Sequence, residues 1–233
     1  MLREPDHRPS DLDKNLNRSS APLGPVAVQS RPGLYRNGIK RALDVTVVVI
    51  SSIVVVPVVL VLALLVCLDG RFPFYWNSRV GRGGRNFRML KLRTMVPNAD
   101  RQLERHLAAN PAARAEWEAT QKLKCDPRIT FVGRYLRKMS LDELPQMWNV
   151  LTGEMSLVGP RPMMPSQREL YPGTAYYSLR PGITGPWQVS DRNEVSFAQR
   201  ADFDRQYELD VSFKTDVQLL LATARAVVKA TGY

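Results

Sequence analysis

The run Lys40-Arg-Ala-Leu-Asp-Val-Thr-Val-Val-Val-Ile-Ser-Ser-Ile-Val-Val-Val-Pro-Val-Val-Leu-Val-Leu-Ala-Leu-Leu-Val-Cys-Leu68 decides what kind of protein this is. From Val45 to Leu68 it carries no formal charge and is built almost wholly of Val, Ile, Leu and Ala. At about 1.5 Å per residue such a helix reaches roughly 36 Å, enough for a hydrocarbon core of about 30 Å. Length alone does not fix topology, because both flanks are basic: Arg31, Arg36, Lys40 and Arg41 precede the run, and Arg71, Arg79, Arg82, Arg85 and Arg88 follow it. Cationic flanks favour the cytoplasmic face, and a straight span cannot keep both there. Pro57 stands near the middle, where it removes a helical hydrogen bond and bends the axis, with Ser51 and Ser52 nearby to help satisfy freed carbonyls. The run therefore reads as a re-entrant helix broken at Pro57, entering and leaving the same leaflet. An ordinary kinked transmembrane helix is the alternative.

Outward from this anchor, the chain has 233 residues, 44% hydrophobic, enough for one good core, and a net charge of +11. The positive excess suits anionic partners, whether nucleic acid, acidic lipid or phosphorylated substrates. Neither zinc-finger spacing nor RNP-like aromatic strands occur, which argues against nucleic acid. Cys67 lies in the apolar run and Cys125 in polar surroundings, so no disulfide is expected between them. His7 and His106 are remote from the adjacent acids Asp142 and Glu143, leaving Ser-His-Asp or Cys-His chemistry without a base. Residues 1–35, rich in Pro, Ser, Asn, Asp and Arg, read as a disordered arm without the apolar core of a signal peptide.

After the anchor, Phe72, Phe74, Tyr75 and Trp76 suit either a headgroup belt or a buried strand. The segment Arg79-Val-Gly-Arg-Gly-Gly-Arg85 reads as a hairpin turn, with Phe87, Met89 and Lys91 alternating on the returning strand. Residues 98–124 form two polar helices separated at Pro111, and Ile129–Met139 leads through a basic helix. Helices are also expected over Phe197–Leu209 and Val217–Val228, the last packing on the core or lying in the membrane surface.

The chemistry-bearing stretch is Ser140-Leu-Asp-Glu-Leu-Pro-Gln-Met-Trp-Asn-Val-Leu-Thr-Gly-Glu-Met-Ser-Leu-Val-Gly-Pro-Arg-Pro162. Leu144, Met147, Trp148 and Leu151 recur at helical spacing, predicting a short helix from about Asp142 to Gly153. Ser140 and Glu143 fit a capping box, which would make the two acids mere complements of a helix dipole. Their company suggests more. Arg134, Arg137 and Lys138 lie upstream, and Arg161 is fixed between Pro160 and Pro162. Cations on both sides of a carboxylate pair point to a polyanionic ligand, and dipole and arginines together would keep the acids ionised as nucleophile or metal ligand.

The runs Ser140–Asn149, Met155–Pro162 and Arg180-Pro-Gly-Ile-Thr-Gly-Pro-Trp-Gln-Val189 resemble the bacterial sugar transferases known as monotopic phosphoglycosyl transferases, and the resemblance extends from about Tyr35 to the C-terminus. It implies transfer of a sugar phosphate from a nucleotide sugar, UDP-linked in this reading, to a polyprenyl (undecaprenyl) phosphate, with UMP released as exopolysaccharide or another glycoconjugate is begun. It places the nucleophile on Asp142, leaving Glu143 for a metal. Lys91-Leu-Arg-Thr-Met95 is similar to the family's Lys-Phe-Arg-Ser-Met, so Lys91 and Arg93 are expected at the site. Arg137 and Arg161 are expected to hold phosphates, and Asp191, in Asp191-Arg192-Asn193, to contribute to the nucleotide-sugar pocket. The family's re-entrant helix starts with a Lys-Arg pair and breaks at Ser-Pro, so Lys40, Arg41 and Pro57 take the anchoring roles. Val56 departs from that pattern and leaves the break to Pro57.

A diphosphate beside carboxylates implies Mg²⁺, a hard cation that bridges phosphate oxygens. The expected architecture is α+β, helix-rich and monotopic, with a small antiparallel sheet: an arm over 1–35, an anchor over 36–69 and a catalytic domain over 70–233 at the cytoplasmic face of the bacterial inner membrane. Partners are the nucleotide sugar, polyprenyl phosphate and membrane lipid, with self-association left open. Two rivals remain, direct transfer in a ternary complex and a basic membrane-tethered binding module without chemistry.

Overall fold

The computed structural model describes residues 33–68, 71–120, 123–190 and 197–228, which belong to one compact unit running from Pro32 to Tyr233. The expected arm, through residue 32, and Asp191 lie outside the described residues. A π-helical turn at Tyr35–Ile39 leads into helix α1 (Lys40–Cys67). Strands β1 (Phe74–Val80) and β2 (Asn86–Leu92) pair antiparallel, with Phe74 opposite Leu92 and Val80 opposite Asn86. Their turn takes positive φ at Gly83 and Gly84, a region glycine enters without a Cβ penalty. Polar helices α2 (Ala99–Ala109) and α3 (Pro111–Thr120) come next, divided as expected at Pro111, whose missing N–H costs nothing at a helix start. Helix α4 (Phe131–Lys138) is capped by Thr130, whose hydroxyl accepts from the Gly133 amide at 2.9 Å.

A 3₁₀ turn (Leu141–Gln146) then runs into helix α5 (Met147–Thr152), ended by Gly153 at φ 86°. Strand β3 (Ser156–Val158), short helix α6 (Ala175–Ser178), strand β4 (Gly182–Thr184) and short helix α7 (Pro186–Val189) lead to helices α8 (Arg200–Asp210) and α9 (Phe213–Val228). The fold is α+β and helix-rich with a small antiparallel sheet, as the sequence implied. It adds a parallel pair, β3 with β4, that the sequence did not announce. Glycine makes that pair possible. A Cβ on Gly182 would sit 2.1 Å from the Gly159 amide nitrogen, and one on Gly185 would sit 2.0 Å from the Gly159 carbonyl oxygen.

Three features of α1 differ from the sequence reading. The helix runs unbroken through Pro57. The Ser51 and Ser52 hydroxyls donate to the carbonyls of Val48 and Val49, not to the Ile53 carbonyl four residues before the proline, so they do not compensate a break. Lys40 and Arg41, expected as membrane anchors, are instead used inside the protein. Lys40 Nζ pairs with Asp216 at 2.5 Å, and Arg41 donates to the carbonyls of Val150 and Leu151, the last turn of α5. Asp44 is buried and accepts from the Ser156 hydroxyl at 2.7 Å and the Leu157 amide at 3.2 Å.

The helix joins the core at both ends. Val48 is buried with Phe87, Met89, Val150, Met155 and Tyr207, whereas Ala63 and Val66 are buried with Leu92 and Leu136. Between them Ile50, Ile53, Val54, Val61 and Leu64 remain exposed, an apolar face for lipid. The aromatic segment after α1 resolves in part toward the surface, since Phe72, Tyr75 and Trp76 are exposed while Phe74 packs against the Ala63–Val66 cluster. Helix α9 packs on the core through Asp216 and Leu219, and its Thr223 hydroxyl lies 2.6 Å from that of Thr184.

Candidate active site

The acids sit in the 3₁₀ turn, and its geometry departs from the capping-box expectation. Ser140 is left-handed (φ 55°) and its side chain caps nothing, because its backbone is committed to ending α4 by donating to the Arg137 carbonyl. Glu143 turns to Lys91 instead. At three residues per turn the 3₁₀ start also shifts the phase of the helix joined to it. The buried side of this segment is Pro145, Gln146, Asn149 and Val150, while Trp148, expected on the apolar stripe, is 55% exposed.

Asn149, to which the sequence reading gave no role, fixes this segment to the hairpin. Its Oδ1 accepts from the Leu90 amide at 3.0 Å, and its Nδ2 donates to the Arg88 carbonyl at 2.8 Å and to Glu154 at 2.6 Å. A fully buried amide clamped to strand backbone by its own donors and acceptor is a rigid spacer. It sets the neighbouring β2 residue, Lys91, against both acids: Nζ lies 2.6 Å from Glu143 Oε1 and 3.4 Å from Asp142 Oδ2. Only part of the signal was available in the sequence, a polar Asn about two turns after the acid pair, because the strand it faces appears only in the fold.

Asp142 is 6% exposed. Burial raises its pKa above the usual carboxylate value; the Lys91 ammonium pulls it down, Glu143 pushes it up and Arg137 pulls it down, with burial the largest effect. This reverses the expectation that a helix dipole and arginines keep it strongly ionised. A six-residue 3₁₀ turn offers little dipole, and desolvation outweighs the cations. Arg137 is partly buried, donates to the Thr94 hydroxyl at 2.9 Å and interacts electrostatically with Asp142, while its neighbours Arg134 and Lys138 are exposed.

Lys91, Glu143, Gln146 and Arg161 line one small open cleft with Arg79, Met89, Pro162, Gly182, Ile183 and Gln188. Of the residues singled out from sequence, Lys91, Asp142, Glu143, Arg137 and Arg161 thus gather in one region. Arg93 does not. Its guanidinium donates to the Phe72 carbonyl at 3.0 Å and the Val66 carbonyl at 3.3 Å, tying the residue just past β2 to the end of α1. Arg79 was missed as a site residue, although its position just before the Gly-rich turn places it one strand from Lys91. The Arg180–Val189 segment supplies Gly182, Ile183 and Gln188 to the cleft, while Arg180 itself donates to the Gly153 carbonyl at 2.9 Å.

Two adjacent carboxylates at a cleft fit a magnesium ion, which keeps several waters and takes further oxygens from bound phosphates. No cluster of three His, Cys, Asp or Glu forms among the described residues, so the protein share of such a site would be the acid pair. Lys91 and a metal cannot both hold Glu143 Oε1.

Comparison with known proteins gives the family. The model of the family described as bacterial sugar transferase matches residues 35–230. A UDP-galactose-lipid carrier transferase of Erwinia amylovora is 46% identical over 196 residues, covering 83% of this chain and 41% of that protein. The exopolysaccharide production protein ExoY of Rhizobium meliloti is 45% identical over 196 residues, covering 83% of this chain and 87% of its own length. An undecaprenyl-phosphate galactose phosphotransferase of Salmonella typhimurium is 45% identical over 196 residues, with 83% and 41% covered. The chain spans about four-tenths of the length of the Erwinia and Salmonella relatives.

Proposed function

The chain belongs to the bacterial sugar transferase family, and from that membership we propose that it is a phosphoglycosyl transferase moving a sugar phosphate from a nucleotide sugar, UDP-linked, to undecaprenyl phosphate in exopolysaccharide assembly. The observation that carries this reading is Lys91 held against two adjacent carboxylates in an arginine-lined cleft. A phosphate ester drawn to Lys91 and Arg161 brings its phosphorus to the acids, and a carboxylate is available there as nucleophile.

In the first step an Asp142 oxygen forms a bond to the phosphorus that bears the sugar. The bond from that phosphorus to the bridging oxygen breaks, and UMP leaves with the electron pair. In the second step an oxygen of the lipid phosphate attacks the same phosphorus, and the bond to Asp142 breaks, returning the carboxylate. Splitting the transfer this way gives each half an anionic leaving group. Glu143, with Asp142, would hold Mg²⁺; when bound, the ion neutralises charge on the phosphate oxygens.

The anchor supports a site at the membrane surface. Val48 and Ala63 are separated by roughly 22 Å of helix, yet both are buried against the same domain. A helix docked at both ends to one domain favours both ends of α1 on one face, which this reading takes as cytoplasmic.

The deciding experiment mixes the protein with labelled UDP-sugar and no lipid acceptor. One sugar phosphate is expected on the peptide containing Asp142, and Asp142→Asn should abolish labelling and turnover together. An active wild type that never labels would mean direct transfer, and a wild type that releases no UMP from any UDP-sugar would remove the enzymatic reading.

A further inference from the structure

The wall of the cleft away from the acid pair carries arginines whose buried nitrogens lack hydrogen-bond partners among the described residues. Arg79, at the end of β1, has its Nε buried with no hydrogen-bond partner among the described residues. Arg161 projects from the backbone that Gly159 locks against β4, between Pro160 and Pro162, and its guanidinium lies 5.6 Å from the centre of the Trp187 ring. Arg200 is 3% exposed, lies 5.9 Å from the same ring, and has its Nε and one terminal nitrogen without hydrogen-bond partners among the described residues. Its paired acid, Asp204, stands 3.9 Å from Nε, beyond hydrogen-bond distance.

These guanidiniums act on one another. Burial, and then the Arg161 charge, push Arg79 down to about 10, and Arg200 is lowered by burial, with Asp204 partly offsetting this and Arg161 adding to it. Contact with an aromatic face stabilises a cation by less than an unpaired buried charge costs. Two arginines that line one cleft, Arg79 with an unpartnered buried nitrogen and Arg161 fixed beside Trp187, make a place that an anion completes.

We propose that Arg79 and Arg161 form a second anion-binding position in the cleft, distinct from the one at Lys91, Asp142 and Glu143, and that it takes the second phosphoryl group of a diphosphate ligand. This rests on the function proposed above. If the phosphorus under attack lies at Asp142, the other phosphate of the donor, the one that departs on the nucleoside, falls to Arg79 and Arg161. Arg79 then contributes to donor binding and to stabilising the leaving group, with its Nε and a terminal nitrogen forking onto two phosphate oxygens.

The test measures binding of inorganic pyrophosphate and of inorganic phosphate by calorimetry to the full chain in lipid nanodiscs. Wild type should bind pyrophosphate about tenfold or more tighter than phosphate, the worth of one charge-assisted hydrogen bond. Arg79→Gln should erase that advantage while changing phosphate affinity by less than about twofold, and Arg79→Lys, which keeps charge but loses the fork, should fall between. If Arg79→Gln does not fold, the Lys variant decides alone: wild-type pyrophosphate affinity in it overturns the proposal. UMP release measured in parallel separates the two readings. Arg79-dependent pyrophosphate binding in a protein that releases no UMP would leave the anion position standing and remove the transferase reading. Asp142 labelling together with unchanged pyrophosphate binding and KM in Arg79→Gln would do the opposite.

Discussion

Replacing Asp216 should damage the whole protein although it lies on the last helix. Its carboxylate accepts from Tyr35 at 2.7 Å, Lys40 at 2.5 Å and Tyr207 at 2.6 Å, so a single side chain joins the start of α1 to α8 and α9. The residue is 5% exposed, and the Lys40 side chain opposite it is 12% exposed. Asp216→Asn keeps the shape but leaves Lys40 unpaired in a site closed to water. Breaking one partner of such a pair costs about 3–5 kcal/mol. For a protein of this size, at about 2–4 °C per kcal/mol, the unfolding midpoint should fall by roughly 6–20 °C. Lys40→Met should cost a similar amount, because it strands the carboxylate instead. The double variant should lose clearly less than the sum of the two, since no unpaired charge remains. The assay is thermal unfolding of the detergent-solubilised chain followed by circular dichroism, with all four proteins in one buffer. Additive losses in the double variant, or an Asp216→Asn protein that unfolds with wild type, would refute the view that this ion pair fixes α1 to the domain.

Two further outcomes concern pH and topology. Burial raises the pKa of Asp204 to about 6 and also raises that of Asp142, so above the unfolded value of 3.8 the native state holds protons that the unfolded chain has released. The stability contributed by Asp204 is complete below the unfolded value and is lost as pH climbs through about 6, whereas turnover, which in the proposed mechanism needs the Asp142 anion, rises with pH as that carboxyl loses its proton. Unfolding midpoints and rates against pH should thus run in opposite directions, Asp204→Asn should flatten the first curve, and Lys91→Met should move the acid limb of the second to higher pH; a limb that stays in place would separate Lys91 from Asp142. Single cysteines at Gly38 and Phe72, in a chain with Cys67 and Cys125 changed to Ser, should react with an impermeant reagent from the same side of sealed vesicles, and labelling from opposite sides would establish a straight span.

Patterns that act locally were legible in the sequence. The hairpin around Gly83 and Gly84, the division of α2 from α3 at Pro111, and the gathering of Lys91, Asp142, Glu143 and Arg161 all stem from spacing, turn chemistry and resemblance. What escaped were choices made by distant partners. Lys40 and Arg41 look like headgroup ligands until Asp216 and the α5 carbonyls claim them. Arg93 sits two residues from Lys91 in a run similar to a family motif, but β2 ends at Leu92 and the carbonyls of Phe72 and Val66 claim its guanidinium. The stripe through Trp148 held at Met147 and Leu151, which pack on the core, but not at Trp148, because a 3₁₀ start, invisible to a 3.6-residue period, rotates the helix after it. Asp142 was read as strongly ionised because charge neighbours are visible in a sequence and desolvation is not.

The backbone contact of Gly159 with Gly182 and Gly185 has a mechanical meaning. Main chain touching main chain leaves no side chain between the two segments to yield, so the piece bearing Arg161 and the piece bearing Ile183 and Gln188 translate as a single body. That half of the cleft behaves as an anvil. On the function proposed above, any adjustment to the size of a sugar or to the arrival of a lipid falls to the opposite half, where the long, unbranched side chains of Lys91 and Glu143 have rotamers to exchange.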